Sequence, residues 1–125
     1  MRNEVLIVSR NAGASEILRE RLLALGYVVP AIATSGRFAI NAAIDFRPVL
    51  VFVDCQFSAD LDAGEVISAL RDSLGIPLVL FADSEASARA AGGELICAPF
   101  PAGPVTEAIA HAVEAGKAAR NIAAG

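Results

Sequence analysis

The chain has 125 residues, the length of one domain, with 55% apolar residues and a formal net charge of −4. That composition excludes a disordered chain, and its acidic balance argues against nucleic-acid binding, which rests largely on Lys and Arg meeting phosphates. No run nears the roughly 18 apolar residues that span a bilayer, and the apolar run in MRNEVLIVSR is too short for a signal-peptide core. A cytoplasmic protein without membrane contact is therefore expected, with Cys55 and Cys97 as reduced, buried, small hydrophobes lacking metal-ligand spacing.

Residues 4–8, EVLIV, form the first apolar run and read as a strand ending before Ser9. NAGASE then reads as a loop. Ile17, Leu18, Leu22 and Leu25 follow at helical spacing, and Gly26 stops that helix. YVVPAIA, 27–33, reads as a second strand, which Pro30 confines to a sheet edge because proline offers no ladder donor. Thr34 or Ser35 caps a second helix with Ala39, Ala42, Ala43 and Phe46 on its buried stripe, and Pro48 ends it.

Val49–Val53 is the third strand. Its unbroken apolar run suits a strand covered on both faces, yet it delivers a carboxylate, Asp54, at its end. The loop CQFSADLDAG leads to a third helix with Val66, Ile67, Leu70 and Leu74 on one face. Asp60, Asp62 and Gly64 in that loop lack the alternation and terminal Glu of a calcium loop, so a solvated acidic turn is expected. Ile76–Ala82 is the fourth strand. DSEASARAAGG favours only a short helix ended by Gly92-Gly93, ELIC at 94–97 is a short fifth strand, and Pro104 suits the first turn of a last helix. Val105, Ile109, Ala112 and Val113 form its buried face. The single histidine, His111, has no Ser or Cys partner nearby in sequence and is expected near the surface. Residues 1–120 read as one domain and 121–125 as a frayed tail.

Strands alternating with helices imply an α/β fold with a single doubly wound parallel sheet. With the second strand at an edge, the five strands take the flavodoxin-like order 2-1-3-4-5, the fourth helix being shortened or irregular. Function in such sheets gathers outside the carboxyl ends of the strands. Asp54, Ser9, Arg10, Ala82, Asp83 and Ala98 should meet there. A carboxylate at that edge can face solvent, bind a metal or act as a nucleophile.

VLIVSR in the first strand, LVFVDC around Asp54, IPLVLFAD in the fourth strand and ICAPF in the fifth make the chain resemble the receiver domain of response regulators in two-component signalling. Gly26 and Pro48 fall where that family tends to have them. The resemblance runs from Val5 to about Lys117 and implies that Asp54 stands at the position that accepts a phosphoryl group from a histidine kinase. It also implies an acidic pair after the first strand, where this chain has Ser9 and Arg10. A Ser or Thr is implied at Ala82, and a Lys at Ala98, followed by Pro99, whose peptide bond is often cis in the family.

The acceptor is kept and its helpers are replaced. That departure implies a pseudo-receiver acting by protein–protein interaction, with little or no magnesium-dependent phosphorylation, no catalysis of its own and no cofactor. Magnesium enters only if the domain is an active receiver. A histidine kinase or downstream effector is the implied partner, and a homodimer is possible. The region between the fourth and fifth strands is shorter than the family's, which suggests an altered partner face. The sequence leaves open whether Arg10 neutralises Asp54 as an internal cation or points into water while Asp54 accepts loop N–H groups.

A third reading of the same architecture is a flavodoxin-like phosphate or flavin mononucleotide binder. Ser9–Ser15, SRNAGAS, offers hydroxyls and N–H groups at a helix start. The absence of Trp and the position of Tyr27 at the opposite end of the sheet weigh against it.

Overall fold

The computed structural model describes residues 3–92 and 95–124, with the side chains of 118–124 excepted. Five parallel strands stand in the order β2-β1-β3-β4-β5, the order the sequence implies. They are β1 (Glu4–Val8), β2 (Val28–Ala33), β3 (Leu50–Asp54), β4 (Leu78–Ala82) and β5 (Ile96–Cys97).

Every residue of β3 is buried, as are Val5–Val8 of β1. Their side chains alternate between two cores. Val5, Ile7, Leu50 and Phe52 join Leu18, Leu22, Phe81, Phe100 and Val105 on one face. Leu6, Val8, Val51 and Val53 join Ala39, Ala43, Val66 and Leu70 on the other. Each fully buried Val, Leu, Ile or Phe contributes about 1.5–3 kcal/mol, which explains why these runs carry no polar residue until their ends.

Pro30 lies in the edge strand as expected. Between Glu4↔Val28 and Leu6↔Ala31 the register slips by one residue, so the prolyl segment bulges instead of contributing a ladder donor.

Helix α1 runs Ala12–Ala24, so most of NAGASE is helix and not the expected loop. The reason is Asn11, whose side-chain oxygen accepts the Ala14 N–H at 3.0 Å and caps the helix early. The inward stripe is consequently Ala14, Leu18 and Leu22, and Ile17 is 41% exposed. Gly26 ends the helix at φ 96°, with Gly26 N–H donating to Leu23 and Tyr27 N–H to Leu22, the two bonds of a Schellman motif.

Helix α2 (Gly36–Phe46) is capped by Ser35. Helix α3 starts at Ala63 under a reciprocal capping box between Asp62 and Glu65, and its second half, Ser68–Ser73, is π-helical. Helix α4 is short, Glu85–Ala90, and β5 has two residues. Leu95 lies outside it, and Gly93 and Glu94 are outside the described residues. Helix α5 runs Ala102–Ala124, with Val105 and Ile109 buried and Ala112 and Val113 half-buried. Its backbone continues through 121–124, which the sequence assigns to a tail; Gly125 is outside the described residues.

Candidate functional site

The carboxyl ends of β1, β3, β4 and β5 form one edge, and Asp54 sits in its middle. The β3 backbone places it there: Asp54 pairs with Phe81 of β4, and Val53 with Val8 of β1. The residue is 5% exposed, and Ser9 beside it is 1% exposed. A carboxylate this deep needs hydrogen-bond donors. The Ser9 hydroxyl donates to Oδ2 at 2.8 Å, and the Gln56 N–H donates to Oδ1 at 3.0 Å.

Ser9 is itself held from two sides. Its N–H donates to the Ala33 carbonyl at 3.0 Å, and its Oγ accepts the Asn11 N–H at 3.0 Å. Asn11 extends the chain of bonds, since its side-chain N–H donates to Asp83 Oδ2 at 3.1 Å while its oxygen caps α1. Asp54, Ser9, Asn11 and Asp83 are thus joined in one network across the ends of β3, β1 and β4. The neighbouring Ser87 hydroxyl above all, and then Asn11 and Ser84, hold the Asp83 carboxyl below its ordinary range against the opposing effect of burial. Among the described residues the one hydrogen bond made to it is that of Asn11, and its Oδ1 is buried without a partner.

Arg10 does not pair with Asp54. It is exposed, and its guanidinium reaches the Ser58 carbonyl at 3.5 Å, out on the loop after β3. Backbone alternation explains the outcome: Ser9 turns inward at the strand end, so its neighbour turns outward. The donor that meets Asp54 is the Ser9 hydroxyl.

The remaining positions bring no polar side chain. Ala82 is fully buried and offers a methyl group. Ala98 is half-buried, and the Ala98–Pro99 bond is cis. Phe100 N–H closes the turn onto the Cys97 carbonyl at 2.9 Å, and Arg21 Nε on α1 donates to the Phe100 carbonyl at 2.7 Å. Ser9, Arg10, Asp54, Ala82 and Ala98 therefore share one edge, but of these only Ser9 hydrogen-bonds to the carboxylate.

Asp83 lies at this edge as the sequence reading expects, whereas Asn11, which joins it to Ser9, was given no role there. A capping residue ahead of α1's first turn was the available signal for Asn11. The SRNAGAS loop, read as a phosphate cradle, has its first groups already engaged: the Ser9 hydroxyl with Asp54, the Asn11 N–H with Ser9, and the Ala14 N–H with Asn11.

The acidic loop is not simply solvated. Asp60 accepts the Gly36 N–H at 2.7 Å and the Arg37 N–H at 3.1 Å, capping α2 from a distant loop. Those bonds, Gly36 first, hold its carboxyl below the ordinary range. Asp62 caps α3.

The cysteines are half-buried free thiols, not the fully buried groups expected. Burial, and then the nearby charges of Asp54 and Asp83, push the Cys55 thiol up, away from reactivity. His111 is exposed. Among the described residues, no three acidic, His or Cys side chains cluster as metal ligands. No helix there is long and apolar enough to cross a membrane.

No family model and no curated protein matches the sequence. Solved structures do match. The chain is similar to the signal receiver domain of a modulated diguanylate cyclase from Desulfovibrio desulfuricans G20, with 26% identity over 94% of this chain and 98% of that one and a TM-score of 0.76. The receiver domain of the PhyR response regulator from Erythrobacter litoralis matches at 20% identity over 90% of each chain, TM-score 0.71. The receiver domain of an HD domain-containing protein from Pseudomonas fluorescens Pf-5 matches at 17% identity over 94% of this chain and 99% of that one, TM-score 0.71. The chain has the response-regulator receiver fold.

Proposed function

We propose that the chain is a receiver-type signalling module that works through contacts with protein partners, and that its Asp54 takes no part in magnesium-assisted phosphoryl transfer. The observation that carries this reading is the carboxylate's own environment. Its two oxygens are met by the Gln56 N–H and by the hydroxyl of Ser9, which occupies one of the two positions where the family's metal-binding acids would stand.

Phosphoryl transfer onto an anion depends on positioning and on neutralising charge. Magnesium demands near-ideal octahedral oxygen coordination and is commonly held by one or two carboxylates together with phosphate. At this edge the second carboxylate, Asp83, is bonded to Asn11, and Ser9 supplies a hydroxyl where an acid is expected. The donor set does not fit that ion. Ala82 and Ala98 have no group to offer an incoming phosphoryl oxygen. Each missing donor of this kind costs on the order of 2.7–4 kcal/mol of transition-state stabilisation. Signalling by such a domain runs through its surfaces, with a histidine kinase, a downstream effector or a second copy as the partner, and the domain has no enzymatic activity of its own.

The test is incubation with a small phosphodonor, with and without magnesium, read by intact mass. No phosphoryl adduct is expected in either arm. A magnesium-dependent adduct that disappears in Asp54→Asn would overturn the proposal and make the domain an active receiver.

A further inference from the structure

Helix α4 is held by little. It has six residues, Glu85–Ala90, and the one side chain it buries is Ala88. A helix this short is not stable by itself in water, and one buried methyl group adds little to it. Its own ends are in order. The Ser84 hydroxyl accepts the Ser87 N–H at 3.1 Å, and Gly92, at φ 121°, closes the far end with its N–H on the Arg89 carbonyl at 3.2 Å. Those bonds lie within residues 84–92, so they shape the helix without attaching it to the rest of the domain.

An attachment from outside comes from one side chain. Asn11 Nδ2 donates to Asp83 Oδ2 at 3.1 Å, just ahead of the Ser84 cap and across 72 positions of sequence. Asn11 is the fixed side of this contact. Its N–H is bonded to the Ser9 hydroxyl, its side-chain oxygen accepts the Ala14 N–H, and its carbonyl accepts the Ser15 N–H. Ser9 in turn is tied to Ala33 and Asp54. Asp83 is the movable side. It follows Ala82, the last residue of β4, so a rotation of the backbone there carries α4 away from the sheet and leaves the ladder pairs Phe81↔Ile96 and Ala82↔Cys97 in place.

The closed arrangement also has a cost. Asp83 Oδ1 is buried and has no hydrogen-bond partner among the described residues. A buried carboxylate oxygen without a donor is unfavourable, and water would serve it once the segment swung out. One bond to Oδ2 therefore closes the segment, while the unserved Oδ1 of the same carboxylate favours opening. Opposed effects on one group, with little apolar burial beside them, suit an element that opens locally around an intact sheet.

We propose that α4 is a detachable segment and that the Asn11–Asp83 hydrogen bond is the latch that sets how often it opens. Asn11 is a positioning residue: its oxygen starts α1 and its nitrogen closes α4. The latch joins two helices that begin at the Asp54 edge, and it stands whether or not Asp54 accepts a phosphoryl group. Where the domain signals through its surfaces, opening α4 changes the face on offer, and the bond is a control point for that change.

Amide hydrogen exchange of the full chain, read by NMR in rising sub-denaturing urea, tests this. In the natural chain the Ala88 and Ala91 N–H groups, bonded to the Ser84 and Ser87 carbonyls, should be protected. They should exchange faster than the Val51 and Cys55 N–H groups of the sheet, with little dependence on urea. Asn11→Ser keeps a good cap for α1 and is too short to reach Asp83. It should speed exchange at Ala88 and Ala91 by about tenfold, the equivalent of about 1.4 kcal/mol, and leave the Ser15 and Leu25 N–H groups at the two ends of α1 within about twofold. In an Asp83→Ala background the same substitution should change α4 exchange by less than about twofold, because the bond is already gone. Unprotected α4 amides in the natural chain, or exchange there in step with the sheet, would overturn the proposal. So would an Asn11→Ser variant that leaves α4 unchanged, speeds α1 and α4 equally, or keeps its full effect without Asp83.

Discussion

Ser9 and Asp54, 45 positions apart in sequence, share a 2.8 Å hydrogen bond in which the serine hydroxyl donates to a carboxylate that is 5% exposed. The donors that meet Asp54 inside the fold, the Ser9 hydroxyl and the Gln56 N–H, are both neutral groups. Removing either donor leaves part of the anion without a partner.

Ser9→Ala tests this directly. The Gln56 N–H alone would then serve the carboxylate, and the Asn11 N–H would lose its acceptor. A loss of about 1.5–3 kcal/mol in unfolding free energy is expected, the range for buried hydrogen bonds to charged groups. Urea unfolding measures it. Asp54→Asn in the same background should recover part of the loss, because an amide is less costly to bury than an unpaired charge.

Restoring the acids should restore affinity for cations. Ser9→Asp combined with Arg10→Asp places up to three carboxylates around the end of β3. Calorimetric titration with magnesium should give saturable heat in the double variant and none in the natural chain. Saturable heat in both would remove the distinction on which the Asp54 reading depends.

Gly36 is the first residue of α2, and a Cβ there would stand 2.6 Å from Leu61 Cβ and 2.7 Å from Leu61 Cδ1. Gly36→Ala should destabilise the domain by about 1–3 kcal/mol through overpacking. Adding Leu61→Ala should relieve only part of that, since truncation removes Cδ1 and keeps the nearest atom. A double-mutant cycle in urea reads both numbers.

Asp60 links the β3–α3 loop to the same helix start through the Gly36 and Arg37 N–H groups. Its folded value is depressed, so its contribution is complete above the unfolded carboxyl range and is lost as pH falls through the folded value. In Asp60→Ala the urea midpoint should be lower at neutral pH. It should also decline less steeply on acidification. A decline parallel to the parent's would contradict this.

Much of the fold was legible because the signals were local and periodic. The order of the sheet follows from five apolar runs and one proline, and the buried faces of α2 and α5 follow from residues such as Ala39, Ala43, Val105 and Ile109. Where α1 begins was not legible, since Asn11 had to be weighed against a Gly- and Ser-containing stretch, and its capping bond decided the matter. Ile17 was misassigned for the same reason. At the site, the convergence of Ser9, Arg10, Asp54, Ala82 and Ala98 followed from topology. The direction of each side chain did not. Whether Arg10 or Ser9 meets Asp54 depends on backbone alternation at the end of β1, and the Asn11–Asp83 contact joins residues 72 positions apart. The roles of Asp60 and Asp62 as caps were hidden behind a composition that reads simply as polar.

The prolyl bulge of β2 has a consequence for how copies of this chain behave when crowded. An outermost strand with a regular backbone invites another molecule to extend the sheet, the first step toward ribbons and fibrils. Here the outermost strand carries a residue with no N–H and a slipped register with β1, both of which work against a regular ladder with a neighbour. Proline chemistry and the slipped register thus disfavour regular sheet growth at that flank.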